Sequence, residues 1–347
     1  MNATEPDPLS RFTAKLCLTF LLLSLLPQSA KGGQLTAFAG NCAQDSHINP
    51  QQRTRIDSAA LRFVQLSLAR DFGSAFALAS TALQQEVQRD QFDKLWQAGI
   101  LPLGPFTDLT VKHTYLLHLA TLSKTSIRTV CGADLGKPDG WVAVSAEPLV
   151  EQAYVELEAQ TRNNGWTFTL WLVPAGDAWR IRAFYATGSS VVGKNAADLL
   201  HLGRSERDQG RQRNAALLLT AAAQLASRGP FFQLGIQPEI SKELQSLNLP
   251  SDLRGSPPYV WGQGPAAFRV GQLGPMGIGS KIYLTVTHLV AASLTDSQID
   301  RRNLALMDYI EKEFPEYKLF FAGWIIKGLR ENGQTGYTSV RELRPTP

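Results

Sequence analysis

The sequence predicts an α+β protein: N-terminal helices packed on a curved, cone-like antiparallel sheet, a helical hairpin, then a small C-terminal α+β domain. Three patterns predict it. From Asp57 to Trp96 apolar residues recur at three- and four-residue spacing, as on a helix with one buried face. From Leu109 to Ala186 the period falls to two, as in strands with one buried face. After residue 193 both periods return. A chain of 347 residues is long enough for two or three domains. The segments expected are 1–32, 33–54, 55–192, 193–248 and 249–347.

The first segment reads as an export signal. Leu16 to Leu26 (LCLTFLLLSLL) is uncharged and apolar, and Arg11 and Lys15 precede it. As a helix it covers about 17 Å, against roughly 30 Å of bilayer hydrocarbon. That length suits the apolar region of a signal peptide. Pro27 ends it, and Ala30 and Gly32 supply the small residues for cleavage after Gly32. Uncleaved, Leu16–Leu26 is an anchor and the protein's one membrane contact. The expected location is exported, in the periplasm or outside the cell. No other run reaches about 18 apolar residues.

Export also decides how the three cysteines are read. Cys17 leaves with the signal peptide, so Cys42 and Cys131 remain as a pair in an oxidising compartment, and a disulfide between them is expected. Two separate thiols are the alternative.

Residues 33–54 are polar and aperiodic and read as a flexible arm. Asp57 or Ser58 then caps a helix carrying Leu61, Val64, Leu68 and Phe72. Further helices run from Ser74 to Thr81 and through Val87, Phe92, Leu95 and Trp96, until Gly99, Pro102, Gly104 and Pro105 break the pattern. Strands follow at Leu109–Leu122, Ser126–Cys131, Trp141–Ser145, Ala153–Gln160, Gly165–Val173 and Trp179–Ala186. The last three form a meander with one apolar and one more polar face.

Helices followed by a meander that ends in GWTFTLWLVPAGDAWRIRAFY resemble the cone-shaped superfamily of ketosteroid isomerases and nuclear transport factor two. The stretch LARDFGSAFALASTALQQEVQRDQFDKLWQAGILPLGPF is similar to exported members at Asp71, Phe72, Ala75, Leu83, Phe92, Leu95, Trp96, Gly104 and Phe106. The resemblance covers about residues 55–190. It implies the fold, while the superfold hosts enzymes, binders and scaffolds alike. Residues 194–228 resemble one tetratricopeptide-type helical hairpin, with Leu202, Gly203, Gly210, Ala215 and Ala222 at its spacing; one such unit cannot bury its own face. The Pro/Gly-rich stretch NLPSDLRGSPPYVWGQGP reads as a domain boundary. A Gly-rich connection, a strand at Lys281–Val290, a helix from Asp296 or Ser297 to about Phe314 and strands at Tyr317–Ile326 and Tyr337–Leu343 complete the chain.

Composition narrows the chemistry. A net charge of +4 is too dilute for a nucleic-acid binder, which clusters its cations. His113 and His118, five apart on a strand, point to opposite faces and suggest no metal site. Gly274–Lys281 has Ser and Lys in the wrong order for a phosphate loop and leads into a strand rather than a helix. No Gly-x-Ser-x-Gly occurs. Tyr154, Glu156 and Glu158 share one strand face and could serve as acid, base and oxyanion donor in an isomerase-like cone. The same face carries Thr167, Thr169, Arg180 and Arg182, a pattern that reads better as a solvated outer face. Arg204, Arg207, Arg211 and Arg213 form the one basic cluster, interleaved with Glu206 and Asp208 as on an exposed helix face.

These readings lead to an exported, non-enzymatic binding or interaction protein of the cell envelope. Trp166, Phe168 and Tyr154 are its candidate ligand-binding residues, and no catalytic residue, metal or cofactor is assigned. The expected partners are an envelope protein, a small apolar molecule or a second copy of the chain, and no nucleic acid. An isomerase- or lyase-like enzyme and a structural envelope scaffold are the alternatives.

Overall fold

The computed structural model describes residues 40–119, 126–132, 137, 140–162, 164–254 and 256–343. The expected export segment and its expected cleavage site lie outside them. The protein is α+β, with eight α-helices and three sheets among the described residues. It divides into two compact units, one holding the described residues up to Ser189 together with Leu225–Glu239, the other Ser190–Gln224 and the chain from Ile240. The expected hairpin region 193–248 thus contributes to both.

In the first unit, strand β1 (Gly40–Gln44) leads through a 3-10 turn at Asp45–His47 to helix α1 (Pro50–Leu68). The expected flexible arm is therefore ordered from Gly40 on, and α1 starts well before Asp57. The reason is local: Asn49 accepts from the backbone N–H groups of Gln51 and Gln52, and Pro50 occupies the first turn, where no N–H is needed. Helices α2 (Phe72–Ala77), α3 (Thr81–Glu86) and α4 (Arg89–Lys94) follow, the first two capped by Asp71 and Ser80. α4 runs on into a π-helical turn at Leu95–Ile100.

Strands β2 (Thr107–Leu119), β3 (Ile127–Gly132), β4 (Trp141–Ala146), β5 (Glu151–Gln160), β6 (Gly165–Ala175) and β7 (Ala178–Gly188) match the expected strands to within a few residues. The end of the expected strand Leu109–Leu122 lies outside the described residues. The main sheet runs β1-β2-β5-β6-β7, antiparallel throughout. A second sheet, β3-β4-β8, is completed by β8 (Phe232–Leu234).

The main sheet is covered on both faces. Val155, Leu157, Phe168, Leu170 and Ile181 pack with Ile56, Phe63 and Val64 of α1 and with Trp96. Tyr115, Leu117, Tyr154 and Trp171 on the opposite face pack with Cys131, Val144, Phe231 and Phe232. Cys42 and Cys131 are disulfide-bonded, their Cα atoms 5.3 Å apart, joining β1 to β3.

In the second unit, α5 (Ala196–Asp208) and α6 (Gln212–Ala226, whose last two residues group with the first unit) form the expected hairpin. A Cβ on Gly203 would stand 2.7 Å from Leu219 Cγ, so only glycine admits this approach. Helix α7 (Ile236–Ser246, whose first four residues group with the first unit) and strands β9 (Tyr259–Trp261), β10 (Phe268–Ile278) and β11 (Lys281–Val290) follow. The Gly-rich stretch expected as a connection is thus strand β10. Its ladder with β11 holds from Gln272 to Ile278 because backbone pairing needs no side chain. Helix α8 (Asp296–Glu313) and strands β12 (Gly323–Arg330) and β13 (Thr335–Glu342) complete the sheet β13-β12-β11-β10-β9, in which only β11 and β12 run parallel. Tyr317 lies in a 3-10 turn, not in a strand. Leu306, Met307 and Ile310 of α8 pack with Leu284, Val286, Trp324 and Ile326 of the sheet.

Candidate functional site

The π-helical turn after α4 places Trp96 in the middle of an aromatic cluster on the helical face of the main sheet. Trp96 stacks on Phe168 at 6.1 Å between ring centroids and on Phe184 at 5.6 Å. Phe63 and Phe92 meet it at 6.2 and 6.3 Å. Trp96 and Phe168 are 0% and 1% exposed, so the space between the helices and the main sheet is filled by the chain's own side chains here. The Trp96 Nε1–H is buried without a partner, which is uncommon and costs about 1–3 kcal/mol. At one end Phe106 meets Trp166 edge-on at 5.9 Å, and both stay half-buried.

Of the three candidate ligand-binding residues, Trp166 and Phe168 share this face, whereas Tyr154 lies on the other. Trp166 and Phe168 stand two positions apart on β6, and Tyr154 opposes Trp171, whose side chain points away from both. Tyr154 is fully buried and its Oη donates to the Ser145 carbonyl. Burial, with Glu147 nearby, raises its phenol well above the usual tyrosine range. It is held neutral and already bonded.

The face expected to be solvated is buried around Glu156. Glu156 is 3% exposed, Thr167 1% and Thr169 0%. The cover comes from a distant stretch of sequence: Arg228, also buried, donates its Nε to Glu156 Oε1 at 3.0 Å and a second nitrogen to the carbonyls of Leu225 and Ser227. The Thr167 and Thr169 hydroxyls are buried without partners. Glu158, farther along β5, stays near the surface and pairs with Lys112. Arg182 reaches Glu86 and Glu147 at 2.7 and 2.6 Å instead of facing Glu156, and Arg180 donates to the Ala77 carbonyl. Tyr154, Glu156 and Glu158 are therefore each committed to a different partner.

Beside this group, the half-buried His113 donates from Nδ1 to Asp45 Oδ2 at 3.0 Å, and the Thr114 backbone N–H donates to Asp45 Oδ1 at 2.9 Å. Burial pushes the Asp45 carboxyl up, but these two hydrogen bonds outweigh it and hold it below the ordinary aspartate range. Asp45 sits at φ +48, a conformation Asp tolerates better than most residues.

The second unit carries a buried polar chain. Asn303 Nδ2 donates to the carbonyls of Ile326 and Tyr337 and to Ser339 Oγ, and Ser339 Oγ donates to Asp300 at 2.6 Å. These bonds orient the Asn303 amide, so its Oδ1 accepts from His288 Nε2 at 2.7 Å. His288 Nδ1 is left as a bare, buried lone pair. Burial lowers the imidazole to about 4 against the Asn303 bond, with Arg302 adding to the lowering.

The basic cluster is matched by acids. Arg204 and Arg207 both bond Glu243, Arg211 pairs with Glu206 at 2.5 Å, and Arg213 lies 3.6 Å from Glu316. Among the described residues no group of three or more His, Cys, Asp or Glu side chains could hold a metal ion, and no helix is long and apolar enough to cross a membrane.

Sequence reasoning missed Arg228, Asp45 and Asn303. Arg228 and Asn303 each left a faint trace, Asp45 none. Arg228 is one charge between the apolar runs AAAQLAS and GPFF, and Asn303 replaces an apolar residue between Ile299 and Met307 on the buried stripe of α8. Comparison of the chain with protein families, with curated proteins and with solved structures finds no match.

Proposed function

We propose that this protein is an exported, non-enzymatic interaction protein of the cell envelope, its first unit a member of the cone-shaped superfamily that its sequence resembles. The observation that carries the reading is the Cys42–Cys131 bond, which joins two strands 89 residues apart. A disulfide of this kind suits a chain that folds in an oxidising compartment. The pairing of Glu156 with Arg228 and of Tyr154 with Ser145 supports a binding role over an isomerase- or lyase-like one, because the groups that would move protons are already bonded within the chain. The stacking of Phe168 on Trp96 supports a macromolecular partner over a small ligand, because the interior is occupied.

A small apolar ligand is the second reading. It is favoured by Trp166 and Phe106, which meet at the half-buried end of the aromatic cluster.

Intact-mass measurement on protein purified from its own host's envelope tests the proposal. The expected result is a chain starting near Gly33, about 2 Da heavier after reduction as two hydrogens add across the disulfide, with a co-purifying protein in the native spectrum. A cytoplasmic, full-length, fully reduced chain overturns it, and a bound small molecule selects the second reading.

A further inference from the structure

The arginines that the sequence gathers on α5 and α6 are matched by carboxylates, which directs attention to the cations that are not. The side chains of Arg55, Arg62 and Arg70 are exposed and have no hydrogen-bond or ion-pair partner among the described residues. Arg55 and Arg62 belong to one helix side. On α1 the buried stripe is Ile56, Ala60, Phe63, Val64 and Ser67. The opposite stripe, Gln51, Arg55, Ser58, Arg62 and Gln65, is exposed along its whole length. Seven residues separate Arg55 from Arg62, about 10 Å along the helix axis on the same side. Arg70 lies in the turn that follows α1, at φ +66.

Nothing acidic neutralises this stripe from within the helix. The only carboxylate of α1, Asp57, is turned to Arg53 at 3.3 Å and to the Thr114 hydroxyl at 2.6 Å. Asp71, next to Arg70, accepts from the Ser74 backbone N–H as the cap of α2. Around Arg55 and Arg62 the exposed stripe of α1 carries only amide and hydroxyl side chains, so it lacks the apolar centre that a protein partner requires. Exposed guanidinium groups on one helix side and in the turn after it instead complement an array of phosphates, which arginine binds through two parallel hydrogen bonds.

We propose that the solvent face of α1 docks on the anionic phosphate headgroups of a phospholipid bilayer. The choice of a bilayer as the source of phosphates rests on the exported reading above. The binding assay itself does not depend on where the protein resides, so the two can fail separately. With no apolar side chain in the stripe, the contact is electrostatic and is screened by salt.

The test is co-sedimentation of the full protein with vesicles of phosphatidylglycerol mixed into phosphatidylcholine, against vesicles of phosphatidylcholine alone. The protein is expected to sediment with the anionic vesicles at low salt, to be released at high salt and to ignore the neutral ones. Each basic side chain at such a surface is worth roughly fivefold, so Arg55→Gln, Arg62→Gln and Arg70→Gln together should weaken binding on the order of 100-fold. A control carrying Lys242→Gln, Arg301→Gln and Lys312→Gln, with the same change in net charge, should bind as the parent does. Circular dichroism confirms that both variants fold. Equal sedimentation with neutral vesicles, equal loss in the control, or binding to a soluble anionic polysaccharide without binding to vesicles overturns the proposal.

Discussion

Arg228 donates to Glu156 at 3.0 Å where both side chains are buried, and this bond ties the returning segment 225–239 to the main sheet of the first unit. A buried pair of this kind contributes little net stability over an apolar pair of the same shape, yet removing one partner strands the other charge.

Arg228→Met alone should therefore cost about 3–5 kcal/mol, while Glu156→Leu combined with Arg228→Met should recover most of it. Urea unfolding of the two single variants and the double variant measures the coupling. Additive losses would show that the two side chains do not act on each other.

The disulfide makes a second prediction. Closing a loop between residues 89 apart removes unfolded-state entropy worth about 4–5 kcal/mol in the chain-entropy account. Replacing Cys42 and Cys131 together by alanine should lower the urea midpoint accordingly. Adding reductant to the parent should do the same and leave the double variant unchanged.

His288 makes stability depend on pH. Its folded value of about 4 lies below the ordinary 6.5, so above pH 6.5 the imidazole is neutral whether the chain is folded or not. Between pH 6.5 and 4 the unfolded chain takes up a proton that the folded one refuses. Stability falls across that window by about 3 kcal/mol, and below pH 4 this group adds no further slope. Unfolding measured against pH should lose this component in His288→Gln, which keeps a donor for Asn303. An NMR titration placing His288 near 6.5 would contradict it.

Val192 predicts a gain. It stands at φ +51 and Gly193 at φ +70, in a two-residue turn closed by reciprocal hydrogen bonds between Val191 and Lys194. A β-branched residue is strained there, whereas asparagine favours the same position. Val192→Asn should raise stability by about 1 kcal/mol, visible as a higher melting temperature. A lower one would mean that the valine side chain does more for packing than its backbone costs.

Gly203 predicts a loss. Gly203→Ala drives a methyl group into Leu219, 2.7 Å from its Cγ, and should cost roughly 1–3 kcal/mol. Adding Leu219→Ala should return part of it, because the second change vacates the space the first one needs. Thermal unfolding of the single and double variants reads both steps.

Period and punctuation in the sequence determined most of the elements by themselves. The β5–β6–β7 meander, the α5–α6 hairpin and the start of α8 follow from apolar spacing and from capping residues such as Thr295, all of which act over a few residues. The Cys42–Cys131 pairing was legible because the expected export segment removes the third cysteine. What local pattern could not carry is which face of a strand is covered. Glu156, Thr167 and Thr169 have the alternation of a solvated face, yet all three are buried, Glu156 against Arg228 from far along the chain. The register of β5 on β6 keeps Tyr154 and Trp166 on opposite faces, as the strand alternation already implied, so the two candidate ligand-binding residues do not form one site. The basic cluster on α5 and α6 gives up its charge to Glu243 and Glu316, and the unpaired row on α1 emerges only by comparison. Burial and charge compensation depend on residues distant in sequence, so the tertiary structure alone decided them.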